Sequence, residues 1–301
     1  MDDFVNLHLH TEASLQDSVI RVRDLVKKVE EYGQSAVAVT DHSSVASWVE
    51  LSRECEGTNI KPIFGNEFYC SKTYEEKTRD RDHLVLLAMN HDGLVNIRRF
   101  QRIAVEHFYY RPILSYQVIK KLPHDGIYCT SACALGIIAK NILDNNIKGA
   151  VDYAECFNDL FDGNFALELQ FHPDFAEQAI INEKLVEISD KLDIPLTVSC
   201  DSHFIDESDR DLRRIVQAIS WHKQYEEIEE SLKSNCLGNS ELIKQFALES
   251  NFPYMDVVPS AIKQTNKIAN MCKAKLETPE RRIPVFDKHD KLNKLFEAIE
   301  W

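Results

Sequence analysis

The apolar positions of the chain fall into short runs at a regular spacing. Strand-like runs are read at 4–10 (FVNLHLH), 35–42 (SAVAVTDH), 61–69, 83–90, 125–132, 165–172 and 194–203. Between most of them lie stretches with helical spacing, at 18–33, 43–55, 93–107 and 174–192. In the first of these Val19, Val22, Leu25, Val26 and Val29 recur on one face, and Gly33 supplies a stop. Strands that alternate with helices predict parallel pairing through right-handed crossovers. So many units suit a barrel better than a small open sheet, and such barrels carry their chemistry on the loops after the strands. From about residue 226 the rhythm changes. An acidic stretch precedes helical segments near 239–249 and 259–275, no strand is expected to pair with them, and 277–301 reads as a loop and a short helix.

Residues two apart on a strand share a face, so His8 and His10 stand side by side. Alone, such a pair is equally well read as two histidines beside a turn. Other candidates recur at corresponding places. Asp41 and His42 close the second run, Glu67 lies late in the third, Cys133 follows the fifth, and Asp201 and His203 close the seventh. His83 is the exception, because it begins its run. Imidazole, carboxylate and thiol groups gathered at strand ends point to a metal site.

Composition narrows the class. With 301 residues and 44% hydrophobic composition the chain can bury a sizeable core, as one large domain or two smaller ones. A net charge of −14 argues against a surface that coats nucleic acid. It leaves room for a metal site acting on phosphate, since bound cations invert the local field. The eight cysteines show no framework spacing, and most, Cys129 and Cys200 among them, read as core thiols. There is no leader-like start and no apolar run approaching the roughly 20 residues of a membrane span. A soluble cytoplasmic protein without a membrane partner is expected.

The segments HLHTEASLQDS, AVAVTDHSSV, IKPIFGNEFY, DHLVLLAMNHDGLVNIRRF, YYRPILS, CTSACALGII, ALELQFHP and LTVSCDSHF follow in order over residues 4–225. Together they resemble the PHP (polymerase and histidinol phosphatase) family, and within it the N-terminal PHP domains of bacterial DNA polymerase III alpha subunits. The resemblance implies a distorted (β/α)7 TIM-like barrel over 1–225. It also implies a helical extension over 226–301, similar to the segment that leads into a polymerase body. It implies metal ligands at His8, His10, Glu67 and Asp201, which are also the candidate catalytic set. Glu67 would bridge to a second metal at His83 and Cys133, and Asp17, His42 and His203 would hold a third. Such mixed donors suit about two to three divalent metals, zinc, manganese or iron rather than magnesium. Metals about 4 Å apart clamp a phosphoryl group. The sequence departs from the family at Ser18 and Ser43, where those domains commonly have glycine.

The activity implied is that of a metal-dependent phosphoesterase, a 3′→5′ exonuclease on single-stranded DNA or primer 3′ ends. Polymerase or replisome proteins are the implied partners. No polymerase activity is expected from these residues, which leave no room for a palm. Two other readings are a metal-stabilised structural or interaction module of a replicative polymerase, and a small-molecule phosphatase of the histidinol phosphatase kind. The segments CTSACALGII and HLVLLAMN count against the latter. Arg98, Arg99, Arg102 and Arg111 are read either as a solvated face or as contacts to a nucleic-acid backbone. His91, His107, His124, His172, His222 and His289 are expected at the surface or beside the site.

Overall fold

A ring of extended segments forms the centre of the molecule, seen in a computed structural model that describes residues 4–74, 81–229 and 232–277. Its strands are β1 (Ala36–Val39), β2 (Lys61–Ser71), β3 (Asp82–Ala88), β4 (Leu114–Ser115), β5 (Ile127–Thr130), β6 (Phe165–Gln170) and β7 (Leu196–Ser199). They are ordered β1-β2-β3-β5-β6-β7, with the short β4 paired to β2. Extended chain over 4–10 lies between the two edges. Asn6 bridges Val37, and Leu9 bridges Ser202 just beyond β7. The Ala38 N–H donates to the Asn6 carbonyl at 2.8 Å, and the His10 N–H to the Ser202 carbonyl at 2.9 Å. These contacts close the distorted barrel.

One expectation about the strands is corrected. β3 runs antiparallel to both β2 and β5, whereas β1–β2, β5–β6 and β6–β7 are parallel. A parallel neighbour needs a crossover of a dozen or more residues, usually a helix. Only 72–81 join β2 to β3, and no helical spacing is read there. The reversal also explains the exception at His83. The first residue of a reversed strand lies at the rim where its neighbours end, and His83 pairs with Tyr69 at the end of β2.

The helices are α1 (Val22–Glu31), α2 (Trp48–Glu54), α3 (His91–Glu106), α4 (Tyr116–Ile119), α5 (Ile137–Leu143), α6 (Ile147–Leu160), α7 (Ala176–Leu192), α8 (Arg210–Trp221), α9 (Ser240–Glu249) and α10 (Val258–Met271). Val22, Leu25, Val26 and Val29 of α1 are buried, as their spacing predicts. α3 begins at Asn90, whose side chain accepts the Gly93 N–H.

Two apolar clusters hold the ring. The outer one lies under the helices and includes Leu25, Val37, Leu51, Phe100 and Leu185. The inner one takes Val5, Leu7, Ala38, Ile63, Val85 and Ala166 from successive strands. From α10 it takes Ile268, Ala269 and, just beyond, Cys272. The Thr265 hydroxyl of α10 accepts the Val5 N–H at 2.9 Å. α10 thus covers the floor of the barrel, at the end away from His8 and His10. Beyond 226 the chain still reaches the barrel: Cys236 makes an isolated bridge to Phe204 after β7, and α10 packs on β7. An open floor lined with Val5, Leu7 and Ile63 is apolar area that must be covered. The loop and helix expected beyond Glu277, with His289, lie outside the described residues.

Candidate metal centre

At the opposite rim the strand ends bring imidazoles and carboxylates together. The chain bends at His8, so Leu7 joins the inner cluster while Leu9 packs in the outer one. His8 and His10 are 1% and 0% exposed and both aim inward. His8 Nε2 lies 3.2 Å from Glu67 Oε1 and 3.3 Å from Asp201 Oδ1. His10 Nε2 lies 3.1 Å from Glu67 Oε2 and 3.1 Å from Asp201 Oδ1. Glu67 also faces His42 Nδ1 at 2.8 Å and His83 Nδ1 at 2.9 Å. Cys133 Sγ is 3.5 Å from His83 Nδ1 and 3.9 Å from Glu67 Oε1. Asp17 Oδ2 is 3.1 Å from His42 Nε2 and 3.2 Å from His203 Nε2. All of the ligand positions named from the sequence therefore meet at one rim.

Among the described residues, His8 Nε2, His10 Nε2, His42 Nδ1, Glu67 Oε2 and Asp201 Oδ1 are buried and form no hydrogen bond of normal geometry. They face one another as imidazole–carboxylate ion pairs at 2.8–3.3 Å. Buried polar atoms are ordinarily satisfied. Here their lone pairs converge on common points, as ligand atoms do around a cation. Three donor groups have this form: His8, His10 and Asp201; His42, Glu67 and His83; and His10, His42 and His203. The donor chemistry and the orphaned atoms both fit divalent metals.

Charge explains the protonation states without metal. Burial pushes the His8 imidazole down, but Asp201, Glu168 and Glu67 outweigh it and hold its pKa well above the usual value. Burial opposes the charged form of His42 too, yet Glu67 and Asp17 lift it to about 10. Glu67 is held well below the carboxylate range despite burial, by His83, His8 and His42. Asp17 is likewise lowered against burial, chiefly by His203. Burial, with Glu67 and Asp201, pushes the Cys133 thiol well up. Protons thus neutralise a cluster that metal ions could neutralise instead.

Further residues support these donors from behind. The Glu168 carboxylate faces His8 Nδ1 at 2.7 Å and accepts from Thr130, Ser199 and Gln170. Asp41, a metal candidate in the sequence, is in none of these donor groups and instead accepts from Thr11 and from the Ser14 hydroxyl, which also lies 3.0 Å from His10 Nδ1. Arg213 of α8 lies 3.2 Å from Asp17 Oδ1. Signals for the first two were present. Glu168 and Gln170 alternate with leucines inside an apolar strand, and Asp41 adjoins His42. Arg213 had no local signal. His172 is buried beside Ser234 and Gln170, where burial lowers its pKa to about 4. The candidate arginines separate. Arg111 lines the cleft over the centre, while Arg98, Arg99 and Arg102 lie on α3 and do not line it.

Backbone geometry accounts for the two departures from glycine. Ser43 has φ +42°, in the left-handed region that glycine enters freely, and Asp201 has φ +49°. Ser18 has no positive φ. Its hydroxyl lies 2.6 Å from the His10 carbonyl and 3.0 Å from the His203 carbonyl, tying two rim strands together. Gly65 of the GNE segment is required by contact, since a Cβ there would lie 2.8 Å from both Thr40 Cγ2 and the Leu86 carbonyl.

Fold and site together define an α/β barrel with a cluster of side chains at one rim that could hold metal ions. The chain belongs to the PHP domain family, which matches residues 6–172. It is similar to the DNA polymerase III subunit alpha of Borreliella burgdorferi, 31% identical over 99% of this chain and 26% of that protein. The corresponding subunit of Aquifex aeolicus is 33% identical over 75% of this chain and 20% of that protein. The chain therefore spans between a fifth and about a quarter of these relatives. A solved protein from Bifidobacterium adolescentis, provisionally assigned as a metal-dependent phosphoesterase, overlaps 81% of this chain and 96% of its own at 14% identity and a TM-score of 0.42.

Proposed function

We propose that the protein is a metal-dependent phosphodiesterase, a 3′→5′ exonuclease on single-stranded DNA or primer 3′ ends. The observation that carries this reading is the set of buried imidazole and carboxylate atoms, several without a well-formed hydrogen bond, converging from several strand ends. In it, His8, His10, Glu67 and Asp201 hold one metal. Glu67 reaches a second with His83 and Cys133, and Asp17, His42 and His203 hold a third. Zinc, manganese or iron suit these donors. When bound, such ions stabilise charge on a phosphoryl group and acidify water. The protein's own residues prepare the site. Glu168 keeps a proton on His8 Nδ1, which leaves Nε2 as the inward donor. Ser14 and Asp41 orient His10, and Arg213 fixes Asp17. In this reading residues 1–225 are the phosphoesterase unit and 226–301 an extension, in a protein working with DNA in the cytoplasm.

A second reading has support of its own. The relatives named DNA polymerase III subunit alpha are about four times longer, so the barrel could serve as a metal-stabilised module that binds polymerase or replisome proteins. Elemental analysis and digestion of single-stranded DNA with and without manganese separate the two. Asp201→Asn and His10→Ala are expected to abolish cleavage while the protein stays folded, since both residues lie at the rim and outside the apolar clusters. Cleavage near wild-type level in both variants would point to a contaminating nuclease. Bound metal without cleavage would favour the module.

A further inference from the structure

The cleft above the centre has a volume of about 270 Å3, with Asp17, His42 and His83 at its floor. Its sides differ in chemistry. Tyr69, Arg81 and Arg111 come from the β2–β3 side of the ring. The Arg111 guanidinium sits 4.7 Å over the Tyr69 ring and donates to its hydroxyl. Tyr69 in turn stacks on His42 at 5.0 Å and 19°. One fixed cation therefore stands beside the proposed phosphoryl position.

Leu15 and Trp221 line the cleft from the other side, where the chain after 4–10 meets the end of α8. They are 83% and 51% exposed and give that side of the cleft an apolar face. A phosphate alone has no use for such a wall, whereas a base has. Phe108 and Tyr110, 63% and 59% exposed, immediately precede Arg111 at the cationic side. Tyr110 has φ +61°, in the left-handed region, and Arg81 lies 5.9 Å over the ring of Tyr109. Basic groups interleaved with exposed aromatic rings are the usual makings of a single-strand path.

We infer that the cleft is a subsite for the terminal nucleotide of a single strand. Its phosphate lies towards Arg111 and Arg81, its base against Leu15 and Trp221, and the next base on Phe108 and Tyr110. The subsite rests on the phosphodiesterase reading for its chemistry and deepens it by naming what recognises the end.

Binding tests it without turnover. The full chain is titrated calorimetrically with thymidine 5′-phosphate, 2-deoxyribose 5-phosphate and a phosphorothioate-linked dT trimer. Wild type should bind the nucleotide more tightly than the sugar phosphate. Trp221→Ala should weaken the nucleotide about five- to a hundredfold and leave the sugar phosphate unchanged. Arg111→Gln should weaken all three ligands, and Tyr110→Ala only the trimer. Equal wild-type affinity for nucleotide and sugar phosphate, or equal losses for both in Trp221→Ala, overturns the subsite. A trimer bound no more tightly than the nucleotide overturns the strand path. If the binding pattern appears but no diester is cleaved, the phosphodiesterase reading falls and the subsite stands. If cleavage occurs without the pattern, the subsite falls alone.

Discussion

Replacing Glu168 by glutamine isolates the group behind His8. The carboxylate is 2% exposed. Its Oε1 faces His8 Nδ1 at 2.7 Å, Ser199 Oγ at 2.6 Å and Gln170 Nε2 at 2.9 Å. Oε2 accepts from Thr130 Oγ1 at 2.5 Å. Glutamine can keep its carbonyl at the first position and offer its NH2 to Thr130, whose hydroxyl can accept. Glu168→Gln therefore preserves shape and hydrogen bonds while removing one charge beside His8. Mutating the residue behind a ligating histidine typically costs 10–100-fold in metal affinity, or about 1.4–2.8 kcal/mol. Competition against a chromophoric chelator measures this, with circular dichroism to show that the fold is kept. Glu168→Ala should do worse, because it leaves Ser199, Thr130 and Gln170 without their acceptor, at about 1–3 kcal/mol for each unsatisfied group. Metal affinity within twofold of wild type in Glu168→Gln would refute the claim that His8 is a ligand tuned by Glu168.

Cys133→Ser should lose one metal selectively and regain more activity with excess manganese than with excess zinc, while Cys129→Ser, buried in β5, changes little. Equal metal content in the two variants would make Cys133 a plain buried thiol. Metal affinity should rise with pH. Without metal, His42 (lifted to about 10) and His8 (raised) hold protons at neutral pH, and a ligating imidazole must lose its proton. Titration calorimetry in buffers of different ionisation enthalpy should show proton release, with affinity changing roughly tenfold per pH unit per proton. An affinity flat from pH 6 to 8 would contradict the protonation scheme. Ser18→Gly should destabilise by about 1–2 kcal/mol through its lost hydrogen bonds. Ser43→Gly should stay within about 1 kcal/mol of wild type, because relief of a left-handed φ offsets lost contacts. Denaturant melts that reverse this order would contradict the backbone assignment.

The sequence alone determined the parts whose signals are local. Alternating strands and helices, the buried face of α1 and the donors at strand ends are all periodic or positional features. Most candidate donors could be named because each sits next to its own strand end, whereas Asp17, in a turn after His10, was named only through the family resemblance. Tertiary structure decided what depends on pairing between distant segments. The reversal of β3 turned His83 from an exception into a rim residue, because strand direction is set by the connection and the neighbours. α10 was legible as a helix, but its place under the barrel floor follows from the apolar area left by other strands. Arg213 and Trp221 reach the centre only because α8 follows the strand that closes the ring against 4–10. Glu168 shows both sides. Its position in an apolar strand marked it as buried, but only the closed ring sets its carboxylate 2.7 Å from His8. Contacts between residues 160 positions apart in sequence leave no trace in local periodicity, because the energy that selects them arises when the core closes.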